Sequence, residues 1–108
     1  MIKIYESDVM SAVMQVLDAH NLLYTRNNVG AVRVREGQFY RFGTAGWSDI
    51  IGCTHDGRFL AIECKRSGGK LSEKQKDFLE RVNCEHGVGI VVDSIPSLFR
   101  QLKERNVV

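Results

Sequence analysis

Near the middle of the chain, Gly46-Trp47-Ser48-Asp49 is followed, across a turn signal, by Ile62-Glu63-Cys64-Lys65. An acid closing a Gly-rich turn, then Glu-x-Lys on the next apolar strand, suits the holding of Mg²⁺ or Mn²⁺ against a phosphodiester. Asp49 and Glu63 would be hard oxygen ligands, with water completing the octahedron. Lys65 lies two residues from Glu63, hence on the same strand face, and can hold the attacking water or stabilise charge on the phosphate. The plain alternative is that Asp49 caps a turn while Glu63 pairs with Lys65. A buried ion pair is costly to desolvate and gains little over an apolar pair, so chemistry is the better reason for these residues.

Whether the two acids meet depends on the turn between their strands. Asp49–Thr54 and Arg58–Lys65 read as a hairpin around His55-Asp56-Gly57, apolar on both faces as in the middle of a sheet. A two-residue Asp-Gly turn would pair Asp49 with Cys64 and send Asp49 and Glu63 to opposite faces. A three-residue loop with Gly57 left-handed pairs Thr54 with Arg58, and Asp49 then faces Glu63 directly. The three-residue loop is expected.

The flanking elements read as a scaffold for that hairpin. Residues 7–20 carry a helical stripe of Val9, Val13, Val16 and Leu17, with Ser7 or Asp8 as cap and Asn21 as stop. Leu22–Val29 reads as a strand. Val32 and Val34 alternate with Arg33 and Arg35, Glu36-Gly37 turns, and Tyr40 and Phe42 alternate with Arg41, a polar-faced hairpin. Ser72 caps a helix to about His86, with Gly87 as its left-handed stop. Val88–Val92 is an apolar strand, parallel to Phe59–Lys65 through that helix, and Pro96 opens a last helix. The order α-β-(hairpin)-β-β-α-β-α predicts an α/β fold, a mixed sheet with helices on its faces.

At 108 residues the chain is expected to form one domain. No apolar run approaches the roughly 18–20 residues of a membrane span, so no membrane partner is expected. The start Met1-Ile-Lys-Ile-Tyr-Glu lacks the apolar segment of a signal peptide, and three cysteines in no framework spacing suit a reducing compartment; a cytoplasmic location is expected. A formal net charge of +2 neither demands nor excludes nucleic acid, because carboxylates gathered for a metal hide basic surface elsewhere.

Glu6 on the first helix, Gly46-x-x-Asp49, Glu63-x-Lys65 and Gln75 on the later helix together resemble the VRR-NUC domain, of the PD-(D/E)xK nuclease superfamily. The likeness runs from about Glu6 to Leu102; one position departs from it, Met10 standing where a Gln is expected. It implies a restriction endonuclease-like αβββαβ core and metal-dependent DNA cleavage. It also implies that the Cys64 carbonyl joins the metal site, the thiol facing the core. Glu6 would supply a further carboxylate, or merely favour the helix N-terminus. Gln75 would reach the active site, although Ser72-x-x-Gln75 is equally a capping box. Members consisting of this domain alone resemble enzymes acting on branched DNA such as four-way (Holliday) junctions.

Arg33, Arg35 and Arg41, with Arg66, Lys70, Lys74 and Lys76 flanking the site, are candidates to grip DNA phosphates. Trp47 could stack on a base or pack in the core. Gly69-Lys70-Leu71 lacks the first Gly and the Ser/Thr of a P-loop, and Cys53-x-His55 and Cys84-x-His86 fit no zinc spacing. The expected function is a junction-cleaving endonuclease, with a homodimer matching the twofold symmetry of its substrate. The alternatives are a flap- or end-processing nuclease and a DNA-binding module without catalysis.

Overall fold

A computed structural model describes residues 3–108; Met1 and Ile2, part of the start read above for a signal peptide, lie outside the described residues. Local signals set the three helices among the described residues. The first, α1 (Glu6–Ala19), buries Val9, Met10, Val13 and Leu17 along one stripe. Its cap is Tyr5, not Ser7 or Asp8. Asp8 sits at the third helical position and accepts from the Tyr5 N–H at 2.8 Å, serving the helix start from within. The second, α2 (Glu73–Cys84), starts at Ser72 as expected, whose Oγ accepts from the Gln75 N–H at 3.2 Å. The third, α3 (Ile95–Glu104), has Ser94 as cap and Pro96 in its first turn, where N–H groups have no intrahelical acceptor.

All three helices end alike. Asn21, His86 and Asn106 take left-handed φ of 54°, 66° and 57°. The next N–H then bonds back to Leu17, Val82 or Leu102, closing a Schellman motif. The left-handed stop of α2 is therefore His86, correcting the expectation of Gly87. Gly87 is needed for space instead: a Cβ there would meet Val82 Cγ1 at 2.8 Å and the Phe59 carbonyl at 3.0 Å.

Six strands complete the order: β1 (Leu23–Arg26), β2 (Gly30–Arg35), β3 (Gln38–Phe42), β4 (Ile50–Cys53), β5 (Phe59–Cys64) and β6 (Val88–Val92). The sheet runs β1-β4-β5-β6, antiparallel except for the parallel pair β5/β6, which makes it the mixed sheet expected. Central β4 and β5 are the strands that read as apolar on both faces. Ile50, Leu60, Ile62 and Cys64 turn to a core shared with α1 and α3, while Ala61 packs with Leu79 and Val82 of α2 on the other face. Each Leu or Ile so buried contributes roughly 1.5–3 kcal/mol.

Two expectations are corrected here. The strand read over residues 22–29 is shorter, because Leu22 closes the end of α1 and the Asn27 amide turns aside to bond the Thr44 backbone. The expected β2–β3 hairpin forms, as a two-stranded sheet outside the core, but its Val/Arg alternation does not hold to the end. Arg33 faces Phe39 but Arg35 faces Gln38, so a bulge at Val34 moves Arg35 to the Tyr40 side. No described helix is long and apolar enough to cross a membrane.

Candidate active site

The β4–β5 turn decides the geometry. Ile50 faces Ile62 and Cys53 faces Phe59. The Thr54 N–H donates to the Arg58 carbonyl at 2.9 Å, the Gly57 N–H donates to the Thr54 carbonyl at 3.0 Å, and Gly57 has φ 87°. This is the three-residue loop with a left-handed glycine, a conformation that side chains rarely adopt. The Thr54 hydroxyl, then the Arg58 guanidinium, hold the Asp56 carboxyl below the usual range and fasten the loop. One step past the paired strands, the same register sets Asp49 opposite Glu63.

The two carboxylates have fixed partners. Asp49 Oδ2 accepts from the Cys64 N–H at 2.9 Å. Glu63 is 1% exposed, and its Oε1 accepts from Gln75 Nε2 at 3.1 Å. Its Oε2 is buried without a partner among the described residues. Burial first, then the neighbouring Asp49 carboxyl, push the Glu63 carboxyl up to about 8; Lys65 acts in the opposite sense and Glu6 adds to the rise. Gln75 thus fills both roles that its sequence position left open, since its Oε1 also accepts from the Ser72 N–H at 2.9 Å.

Cys64 contributes its backbone. The Lys65 N–H donates to the Val92 carbonyl at 2.9 Å, toward β6. The intervening peptide is trans, so the Cys64 carbonyl points the other way, toward the Asp49 side. The thiol packs in the core, and burial, then Asp49 and Glu63, push it up to about 12, leaving no thiolate to act as ligand or nucleophile.

Lys65 Nζ lies 3.5 Å from Glu6 Oε1, its side chain 15% exposed. Glu6 therefore faces the lysine, and its charge also reaches Glu63. Among the described residues no three His, Cys, Asp or Glu side chains group as metal ligands. Asp49, Glu63 and the Cys64 carbonyl offer a seat, with Glu6 close by on Lys65. These are all hard oxygens, and a buried carboxylate oxygen lacking a partner is a coordination position in search of a cation, so the donor set fits Mg²⁺ or Mn²⁺.

Two cavities adjoin the site, one at Asp49 and one at Lys65. One of about 400 Å³ opens by Asp49 and Gln75, between Arg26, Lys74 and Trp47. The other, of about 350 Å³, is lined by Lys65, Arg66 and Arg100. Of the expected basic residues, Lys74 and Arg66 border these spaces, Lys70 is an exposed loop residue, and Arg33, Arg35 and Arg41 sit on the separate hairpin. Arg26 and Arg100 were not anticipated. Arg26 pairs with Ile50 at the end of β1 and borders the cavity that Asp49 also lines, and a long-range pairing of this kind leaves no local signal. Trp47 belongs to an aromatic cluster with exposed Phe59 and half-buried Phe78, which packs against the core under α2.

Comparison with known proteins gives one finding. The family model described as "VRR-NUC domain" matches residues 5–93, a span that includes Glu6, Asp49, Glu63, Cys64, Lys65 and Gln75. No curated protein and no solved structure matches the chain.

Proposed function

Because this chain belongs to the VRR-NUC family of nuclease domains, we propose that it is a Mg²⁺- or Mn²⁺-dependent DNA endonuclease selective for branched DNA such as four-way junctions. The observation that carries this reading is Asp49 set against Glu63, with one Glu63 oxygen buried and unpartnered and Lys65 alongside. Two carboxylates in contact repel each other, and a divalent ion between them turns repulsion into attraction.

In this reading Asp49, Glu63 and the Cys64 carbonyl hold the ion. When bound, it supplies Lewis acidity toward the phosphate and the water that attacks it. The Cys64 N–H fixes Asp49 and the Gln75 amide fixes Glu63, so both carboxylates are oriented before metal arrives. Lys65 gives a fixed positive charge to the phosphate or its attacking water, and Glu6 holds the ammonium in place. Arg66, Lys70 and Lys74, with Arg33, Arg35 and Arg41 on the hairpin, grip the DNA backbone. A homodimer would present two such sites about a twofold axis, as the paired strands of a junction require.

The test is a panel of linear, flap and four-way DNAs incubated with Mn²⁺, wild type beside Lys65→Ala. Paired nicks in the four-way DNA by wild type, with Lys65→Ala binding but not cutting, are expected. Faster cutting of the flap would favour the end-processing reading. No cleavage of any substrate, or loss of binding as well as cleavage in Glu63→Ala, would favour a binding module.

A further inference from the structure

The cavity beside Asp49 is larger than a metal ion needs. At about 400 Å³ it lies within the roughly 300–1,000 Å³ of small-ligand sites. Asp49 and Gln75 are among its lining residues, so whatever fills it adjoins the metal seat. Trp47 lines the same space and is 45% exposed. One face of its ring stacks on Phe78, with centroids 4.9 Å and planes 26° apart, and Phe59 meets it edge-on at 6.0 Å. Two phenyl rings therefore brace the indole as a rigid aromatic wall. The Asn27 amide ties the end of β1 to the loop before Trp47, donating to the Thr44 carbonyl at 2.8 Å and accepting from its N–H at 2.9 Å. Arg26 and Lys74 also line the cavity, and among the described residues neither forms an ion pair.

The geometry points to a nucleotide subsite: the cavity takes the base of an unpaired nucleotide next to the scissile phosphate, stacked on Trp47, with Arg26 and Lys74 on its phosphates. The assignment rests on the nuclease reading, since a chain held at Asp49 by one phosphate must continue into the space alongside. An aromatic wall accepts any base face, and unpaired basic groups suit the backbone that joins the bases. A base inside a duplex would have to leave its pair and both stacking neighbours to enter, whereas a base at a branch point has already lost continuous stacking on one side and a base in a flap strand is already unpaired. The cavity thereby selects phosphates at junctions and flaps without reading sequence.

Fluorescence anisotropy of the Glu63→Gln protein, metal-free, tests this with junction and flap DNAs that carry an abasic analogue at successive nucleotides around the branch point. At one position the missing base weakens binding about tenfold, the lower range of one stacking interaction. Adding Trp47→Ala weakens the natural DNA by a similar factor and abolishes the difference between natural and abasic. Adding Ala45→Leu, which fills the cavity from an exposed position and spares the aromatic cluster, does the same. If no position is sensitive, or if the losses from the protein and DNA changes simply multiply, the subsite is wrong. Should Trp47→Ala fail to fold, Ala45→Leu decides alone. Cleavage of unmodified DNA by wild type reports separately on the nuclease reading: cutting without base coupling overturns the subsite only, and base coupling without cutting overturns the nuclease only.

Discussion

Gln75 donates from Nε2 to Glu63 at 3.1 Å while its Oε1 accepts from the Ser72 N–H at 2.9 Å. One amide thus joins the start of α2 to the buried carboxylate, and substitutions can separate the two ends. Ser72→Ala removes the cap hydroxyl but leaves Gln75 on Glu63. It should cost about 1 kcal/mol in urea denaturation and leave cleavage near wild type. Gln75→Glu can still accept from Ser72 but cannot donate to Glu63. It should lower kcat/KM in Mn²⁺ by about 10–100-fold. Equal loss of activity in both variants would mean that Gln75 acts only through the helix start.

The buried carboxylate makes stability depend on pH in a direction opposite to that of a salt-bridged acid. The Glu63 carboxyl rises from its usual 4.5 to about 8 in the folded chain. Between those values the folded state holds a proton that the unfolded state has released, so ΔG of unfolding falls as pH rises. The stabilisation is complete below the unfolded value and is lost as pH climbs through the folded one. The slope from this single proton cannot exceed about 1.4 kcal/mol per pH unit. Glu63→Gln should flatten this component in metal-free urea titrations and be more stable than wild type at pH 8. Mg²⁺ should raise the wild-type Tm more at pH 8 than at pH 6, because the ion competes with the proton. A metal-free profile unchanged by Glu63→Gln would sink this account.

Lys65 and Glu6 face each other at 3.5 Å, with the lysine the more buried partner. Lys65→Ala should reduce kcat about 10²–10³-fold, the usual size of losing one charge-stabilising donor, with DNA affinity within about threefold of wild type. Lys65→Arg should restore little, since a planar fork cannot replace a compact ammonium. Glu6→Gln should cost less than Lys65→Ala, because the ammonium itself stays in place. A Lys65→Ala protein that cuts at the wild-type rate would remove Lys65 from the chemistry.

How far the sequence discloses this arrangement depends on the range of the interaction involved. The parity that brings Asp49 to Glu63 is legible because it is local: Gly57 favours the left-handed position, and the apolar strands on either side fix the faces. Gln75 is half legible, since its capping partner is three residues away and its other partner is twelve. Arg26 and the Trp47 cluster are not legible. One depends on β1 pairing with β4 across the whole hairpin, and the other gathers rings from a loop, a strand and a helix. The bulge at Val34 has no Gly or Pro to announce it.

That bulge divides the basic hairpin. Arg33 faces Phe39 and Ala31 faces Arg41, so Arg33 and Arg41 share one face of the two-stranded sheet, while Arg35, opposite Gln38, lies on the Tyr40 face. A DNA backbone meets one face at a time. If it lies against the Arg33–Arg41 face, each of those arginines neutralises one phosphate and releases its condensed counterion. Plots of log affinity against log salt should then become shallower by about 0.9 for Arg33→Ala and for Arg41→Ala, and by about twice that for the pair. Arg35→Ala should change the slope by less than half as much. All three affinities should fall alike on linear and branched DNA, since backbone contacts carry no sequence or structure code. An unchanged salt slope in the Arg33/Arg41 double variant would take the hairpin out of the DNA interface and leave the gripping to Arg66, Lys70 and Lys74.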